Sequence, residues 1–183
     1  MNYYGARDLA SGFRTVRKNT IIIAEDIGEE HYGYRATPES RTVAQTLTHV
    51  ALSPQLAEHI HGKARLTNLE GFDFFGFFGP LFAQEQTPGT KAQIVGLLRE
   101  SGDRLGNWLE TLSDDFLGET VAMPKGMTPG SKTRFEMLLG VKEHEMHHRG
   151  QLMLVERLIG VVPHLTREFQ ARMAAMQPAK ASA

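Results

Sequence analysis

The 183-residue chain is predicted to be all-α, a four-helix bundle. Two observations carry this expectation. Apolar residues recur at three- and four-residue intervals over four long stretches, and segments rich in glycine and proline, unequal in length, separate those stretches. The length fits one domain with a substantial core.

The first stretch runs from about Ala6 to Ile27, with Leu9, Phe13, Val16, Thr20, Ile23 and Ile27 on one face. A loop, "GEEHYGYRATPES", follows. The second helix is expected from about Pro38 to His61, capped by Thr37, with Pro38 at its first position and Glu39 in the first turn. Its core contacts would be Val43, Leu47, Val50, Leu56 and Ile60, and Pro54 should kink it. Residues 71–80, "GFDFFGFFGP", interleave five phenylalanines with three glycines and read as a loop whose rings cap the core or a subunit contact. A pocket lid is the second reading.

The third helix is expected from about Gly89 to Leu112. Its core face carries Ile94, Leu97, Leu98, Leu105, Trp108, Leu109 and Leu112. The breaker-rich stretch after it can hold a short hairpin around Thr120–Met127. The fourth helix begins near Ser131 and runs to about Ile159, with Phe135, Leu138, Leu139, Leu152, Val155 and Leu158 as core candidates. Gly160 and Pro163 end it. Residues 1–172 read as the single domain and residues 173–183 as a disordered tail.

The totals exclude several functions. Twenty basic and 21 acidic residues leave a net charge of −1, which gives no support to a nucleic-acid partner. With no cysteine, disulfides, thiolate metal sites and a cysteine nucleophile are ruled out. No apolar run approaches the ~18–20 residues of a membrane span, and Ile21–Ala24 is too short for a signal-peptide core. A cytoplasmic protein is the default expectation.

The chemistry gathers in "KEHEMHHRGQ", residues 142–151. His144 and His148 stand four apart and share a helix face, close enough to hold one divalent cation. His147 is rotated by roughly 100° from His148 and points elsewhere. The stripe continues into Gln151, Leu152 and Val155, so the ligand face is also a core face. Two imidazoles there are costly to bury unless something satisfies them. An open zinc-type site needs a third ligand from elsewhere in the chain. His49, midway along the second helix, is one candidate. His59 and His61 look solvent-exposed, and Glu168 is the ligand that an "HExxH" peptidase would require, with Glu145 as its base.

"LTHVALS" at 47–53 and "HEMHHRGQL" at 144–152 together resemble the DinB family, also called DinB/YfiT-like, and the likeness extends over roughly 170 residues of the helical layout. The resemblance implies an up-down-down-up bundle, commonly a homodimer. It also implies one divalent ion, nickel or zinc, held by His49, His144 and His148. Some family members are transferases or isomerases that use an exogenous low-molecular-weight thiol, so a metal-dependent enzyme acting on a small molecule is the leading expectation. Glu145 is the sole catalytic candidate, as base or as partner to a ligand, with a solvated carboxylate as the plainer alternative. Arg149 would bind an anionic substrate or pair with Glu145 or Glu156. The other functional expectations are a metal that merely staples the bundle and, third, the peptidase.

Overall fold

A computed structural model describes residues 4–176. Helix α1 covers Ala6–Asp26, with every residue of its expected core face buried up to Ile27 just beyond its end. A 3-10 turn at Glu29–His31 leads through a loop to α2, Val43–Leu52. Where a kink was expected at Pro54, the helix is instead interrupted at Ser53 and resumes as the short α3, Pro54–Ala57, which passes directly into a π turn at Glu58–Lys63. Then come α4 (Phe74–Gln86), α5 (Lys91–Glu110), α6 (Asp114–Gly118), α7 (Arg134–Leu158) and α8 (His164–Met176). Between α6 and α7, strands β1 (Thr120–Ala122) and β2 (Ser131–Thr133) pair antiparallel, Val121 opposite Lys132. The expected hairpin is present, but its return strand lies beyond Met127.

Helices α1 and α2 each pack against both α5 and α7, so the four enclose a common core. Toward one end it contains Ile23, Leu47, Val50, Leu98 and Leu152; toward the other, Leu9, Phe13, Leu105, Leu109 and Leu138. A smaller cluster of Ile60, Leu69 and Val121 sits under the π turn and the hairpin. No helix among the described residues is long and apolar enough to cross a membrane.

Three further expectations need correction. The second helix starts at Val43, and its cap is Thr42: the Thr42 hydroxyl accepts from the Gln45 amide at 3.1 Å, and the Gln45 side chain accepts from the Thr42 amide at 2.9 Å. The Thr37–Ser40 segment spends the same chemistry on a turn, where the Ser40 amide donates to the Thr37 carbonyl at 3.1 Å. "TVAQ" is the capping box; "TPES" only resembles a helix start.

The phenylalanine-rich segment is a helix, not a loop. Asp73 caps it by accepting from the Gly76 amide at 2.8 Å, and rings four apart lie along one side, Phe74–Phe78 at 6.4 Å and Phe78–Phe82 at 5.6 Å between centroids. The helix carries on past Pro80 through "LFAQEQ", which a reading stopped by proline does not reach. Third, Leu158, expected in the core, is 55% exposed near the end of α7. Of the expected tail, Met173–Met176 belongs to α8 and the remainder lies outside the described residues.

Glu156 on α7 is fully buried, and neither carboxylate oxygen has a hydrogen-bond partner. Burial pushes its pKa up to about 7, with Asp26 adding to the shift. Protonation in the folded state therefore contributes stability that is whole below the ordinary carboxylate pKa and is lost as pH rises through about 7. Glu156→Gln should accordingly be more stable than the parent at pH 8, by on the order of 1–3 kcal/mol, with the difference shrinking toward pH 4.5. Urea unfolding at both pH values reads this, and a pH-independent difference would contradict it.

Candidate metal centre

Two helices supply the centre. His49 lies in the last turn of α2; His144 and His148 occupy successive turns of α7. The His49 and His144 Nε2 atoms are 3.2 Å apart, and so are those of His148 and His144. Ligand atoms of the three residues all lie within 4.8 Å of one another. A tetrahedral ion with M–N bonds of ~2.0–2.1 Å needs neighbouring nitrogens roughly 3.3 Å apart, so the two 3.2 Å spacings suit a shared cation. His147, exposed, lies outside the group, its Nε2 3.1 Å from the Gln151 amide.

The far nitrogens of two rings are held by residues that turn the lone pairs inward. His49 Nδ1 donates to Glu85 Oε2 at 2.9 Å, and His148 Nδ1 donates to Gln151 Oε1 at 2.8 Å. With those protons placed, Nε2 of both rings is an acceptor, and both face Nε2 of His144. One proton on His144 cannot satisfy two acceptors at once, whereas a cation satisfies all three nitrogens. Burial holds the His49 and His144 rings below their usual pKa, Arg41 adding to the effect on His49 and the His49 ring to that on His144. His148, 6% exposed, is held at about 4, chiefly by burial. All three are thus neutral imidazoles at pH 7, the form that ligates.

Glu85 sits on α4 and is buried; Arg41 donates to its Oε1 while His49 donates to Oε2. This residue escaped the sequence reading because it lies beyond Pro80. Gln151 was on the expected stripe with no role attached, and the structure gives it one: it orients His148. Such outer partners commonly tune metal affinity.

Behind the histidines, Arg17 of α1 is buried and bonds to three other helices. Its Nε donates to Glu145 Oε1 at 2.9 Å and its Nη2 to Oε2 at 2.9 Å; Nη1 donates to the Leu98 carbonyl at 2.7 Å and to Ser101 Oγ at 2.8 Å, and Nη2 reaches the Val50 carbonyl at 3.3 Å. Glu145 is 1% exposed, so it is not a solvated carboxylate, and both of its oxygens are bound by Arg17. Gly102 makes room: a Cβ there would meet Arg17 Cγ at 2.7 Å. The signal in the sequence was an arginine on the buried stripe of α1 between Phe13 and Thr20.

The remaining candidates fall elsewhere. His61 is buried, not exposed: its Nδ1 accepts from Arg134 Nη1 at 3.0 Å, and burial beside that guanidinium holds it at about 4. His59 packs its ring against Phe77, 5.2 Å between centroids. Glu168 is exposed on α8, outside the histidine group. Arg149 forms no ion pair with Glu145 or Glu156; Glu145 belongs to Arg17.

Residues 13–152 match the sequence profile of the DinB superfamily, and the chain belongs to that superfamily. A DinB-like protein from Bacillus subtilis, solved as a crystal structure, is similar in fold, with a TM-score of 0.60 and 22% identity over 83% of this chain and 91% of that one. No curated protein matches the sequence.

Two outcomes are expected. His49→Ala, His144→Ala and His148→Ala should each abolish most divalent-metal binding, with His147→Ala retaining it and Glu85→Gln weakening it about 10–100-fold; equilibrium dialysis with metal analysis measures all five. Glu145→Gln, which leaves Arg17 buried against a neutral partner, should cost ~3 kcal/mol or more of stability by urea unfolding. Folded Glu145→Gln should still bind one ion, more weakly than the parent, since Glu145 positions the histidine helices without belonging to the histidine group.

Proposed function

We propose that this chain holds one divalent ion, zinc or nickel, on His49, His144 and His148, and that it is a metal-dependent enzyme of small-molecule transfer or isomerisation chemistry employing an external thiol. The observation that carries the reading is the convergence of three neutral Nε2 atoms from two helices, two of them aimed by Glu85 and Gln151. Three protein ligands form the donor set among the described residues, and catalytic sites of this kind keep a position for substrate or water. When bound, a divalent ion supplies Lewis acidity, favouring the deprotonated form of a thiol or water that enters the open position.

The residues around it have assignable tasks. Glu85 keeps the His49 proton on Nδ1 and shares its charge with Arg41; Gln151 does the same for His148 without a charge. Glu145, held by Arg17, fixes the register of α7 behind His144 instead of serving as a base. That assignment weighs against the peptidase, which needs Glu145 free and Glu168 on the metal. A purely structural metal is disfavoured by the donor count, since structural zinc generally has four protein ligands. Any thiol must come from outside, because the chain has no cysteine. A homodimer acting on a small molecule in the cytoplasm completes the proposal, and light scattering reads the pairing directly.

The decisive experiment is cobalt substitution. The visible spectrum of the cobalt protein should change when a small thiol is added, azide should compete with that change, and His144→Ala should abolish it. A spectrum indifferent to thiols and azide alike would mean a closed site, and the structural metal would replace the enzyme as the better reading.

A further inference from the structure

A cavity of about 460 Å³ opens beside His49 and His144, within the size range of small-molecule sites. Its long axis can be read from the chain. Moving away from the histidines, residue numbers rise along α2, α3 and the π turn, through Leu52 and Leu56 to Ile60. They fall along α7 from His144 to Met137 and along α4 from Glu85 to Phe78. At ~1.5 Å per residue these walls extend on the order of 10–16 Å from the histidine end.

Chemistry is unevenly distributed along that length. Glu85 and Arg41 are the only carboxylate and guanidinium in the lining, and both stand at the histidine end, where Glu85 contacts His49. The carboxylate already has both oxygens engaged, Oε1 by Arg41 and Oε2 by His49. Arg41 spends only its Nε on that pair; its two Nη groups have no hydrogen-bond partner among the described residues. The free polar capacity at this end is therefore made of donors. Beyond it the walls are aliphatic and aromatic apart from Ser53, whose hydroxyl donates to the Val50 carbonyl at 3.1 Å, with Phe78 and Leu81 contributed by α4. His61 is the polar side chain farthest along, and Arg134 occupies its Nδ1.

We propose that the substrate of this site is an elongated apolar molecule with a single carboxylate head, the head at the free Nη groups of Arg41 beside the histidines and the apolar body along the trough between α4 and the α2–α3 segment. The proposal rests on the histidine centre being the reactive end, and it adds what the centre acts upon. A cationic head finds only the engaged Glu85, and a small dicarboxylate leaves the apolar walls uncovered with its second charge against them. The phenylalanine-rich α4 thereby acquires a function as one wall of the substrate trough.

The test is calorimetric titration of hexanoate, octanoate and decanoate, with octanamide, octylamine and glutarate as controls, into zinc-loaded and chelator-stripped protein. Affinity of the zinc-loaded protein should rise roughly fourfold per added methylene until the trough is filled. Octanamide should bind at least tenfold more weakly than octanoate, and Arg41→Gln should remove that preference in samples that metal analysis shows still hold one ion. Leu56→Trp, or Leu81→Trp if the first variant does not fold by circular dichroism, should abolish the gain from octanoate to decanoate. Glutarate or octylamine binding as tightly as octanoate, an affinity indifferent to chain length, or an unchanged preference in Arg41→Gln would overturn the proposal. Metal analysis of the same samples separates the two readings. Protein that holds one ion but ignores chain length refutes the substrate class alone, whereas chain-length-dependent binding to protein that takes up no ion refutes the metal centre alone.

Discussion

The buried pair of Arg17 and Glu145 is the constraint on which the rest of the arrangement depends. A guanidinium taken out of water is costly, and the cost is offset only if nearly every N–H finds an acceptor in good geometry. Arg17 meets that condition by drawing on α2, α5 and α7 at once, through the Val50 carbonyl, the Leu98 carbonyl with Ser101, and Glu145. Val50 follows His49 and Glu145 follows His144, so the same contacts hold the two histidine-bearing helices at a set separation and register. A buried ion pair is weak evidence for stability but good evidence for a specified position, and here the position specified is that of the histidines.

A second layer aims the rings. Neutral imidazole has one donor and one acceptor nitrogen, and what the donor meets decides where the acceptor points. Glu85 and Gln151 take the Nδ1 protons of His49 and His148, leaving Nε2 as the inward-facing atom on each. The two partners differ in charge. Glu85 sits in a buried setting with Arg41 on its other oxygen, so its negative charge is compensated whether or not a cation is present. Gln151 performs the same orientation with no charge, from the helix that carries His148 itself. The site thus gains fixed tautomers without accumulating uncompensated anions.

Helix α4 joins the centre to its surroundings. Its Glu85 turns toward His49, while Phe78 and Leu81 turn toward the cavity beside it. Other rings face outward; Phe75 is 92% exposed. A helix this apolar with so little of itself buried is unusual in a bundle, and the polar contact at its C-terminal end fastens it to α2.

Much of the fold was legible from the sequence because helical periodicity is a local property: α1, α5 and α7 fall where their apolar spacing puts them, and the proline at 54, lacking an N–H, marks the place where α2 is interrupted. His144 and His148 were legible for the same reason, their four-residue spacing being enough to place both on one face. The start of α2 was misjudged since Thr37 and Thr42 offer similar capping chemistry, and only packing decides which one is used as a cap. The α4 helix was missed because glycine and proline argue against a helix locally, while its anchor to His49 comes from elsewhere in the chain. What the sequence by itself determined is the set of helices, the membership of the His144–His148 pair on one face, and His49 as a candidate partner. Only the tertiary structure decided that His49 meets that pair, that Glu145 belongs to Arg17 128 residues away, and that Glu85 orients a ring 36 residues before it, because those relations are distances between helices and no local pattern encodes them.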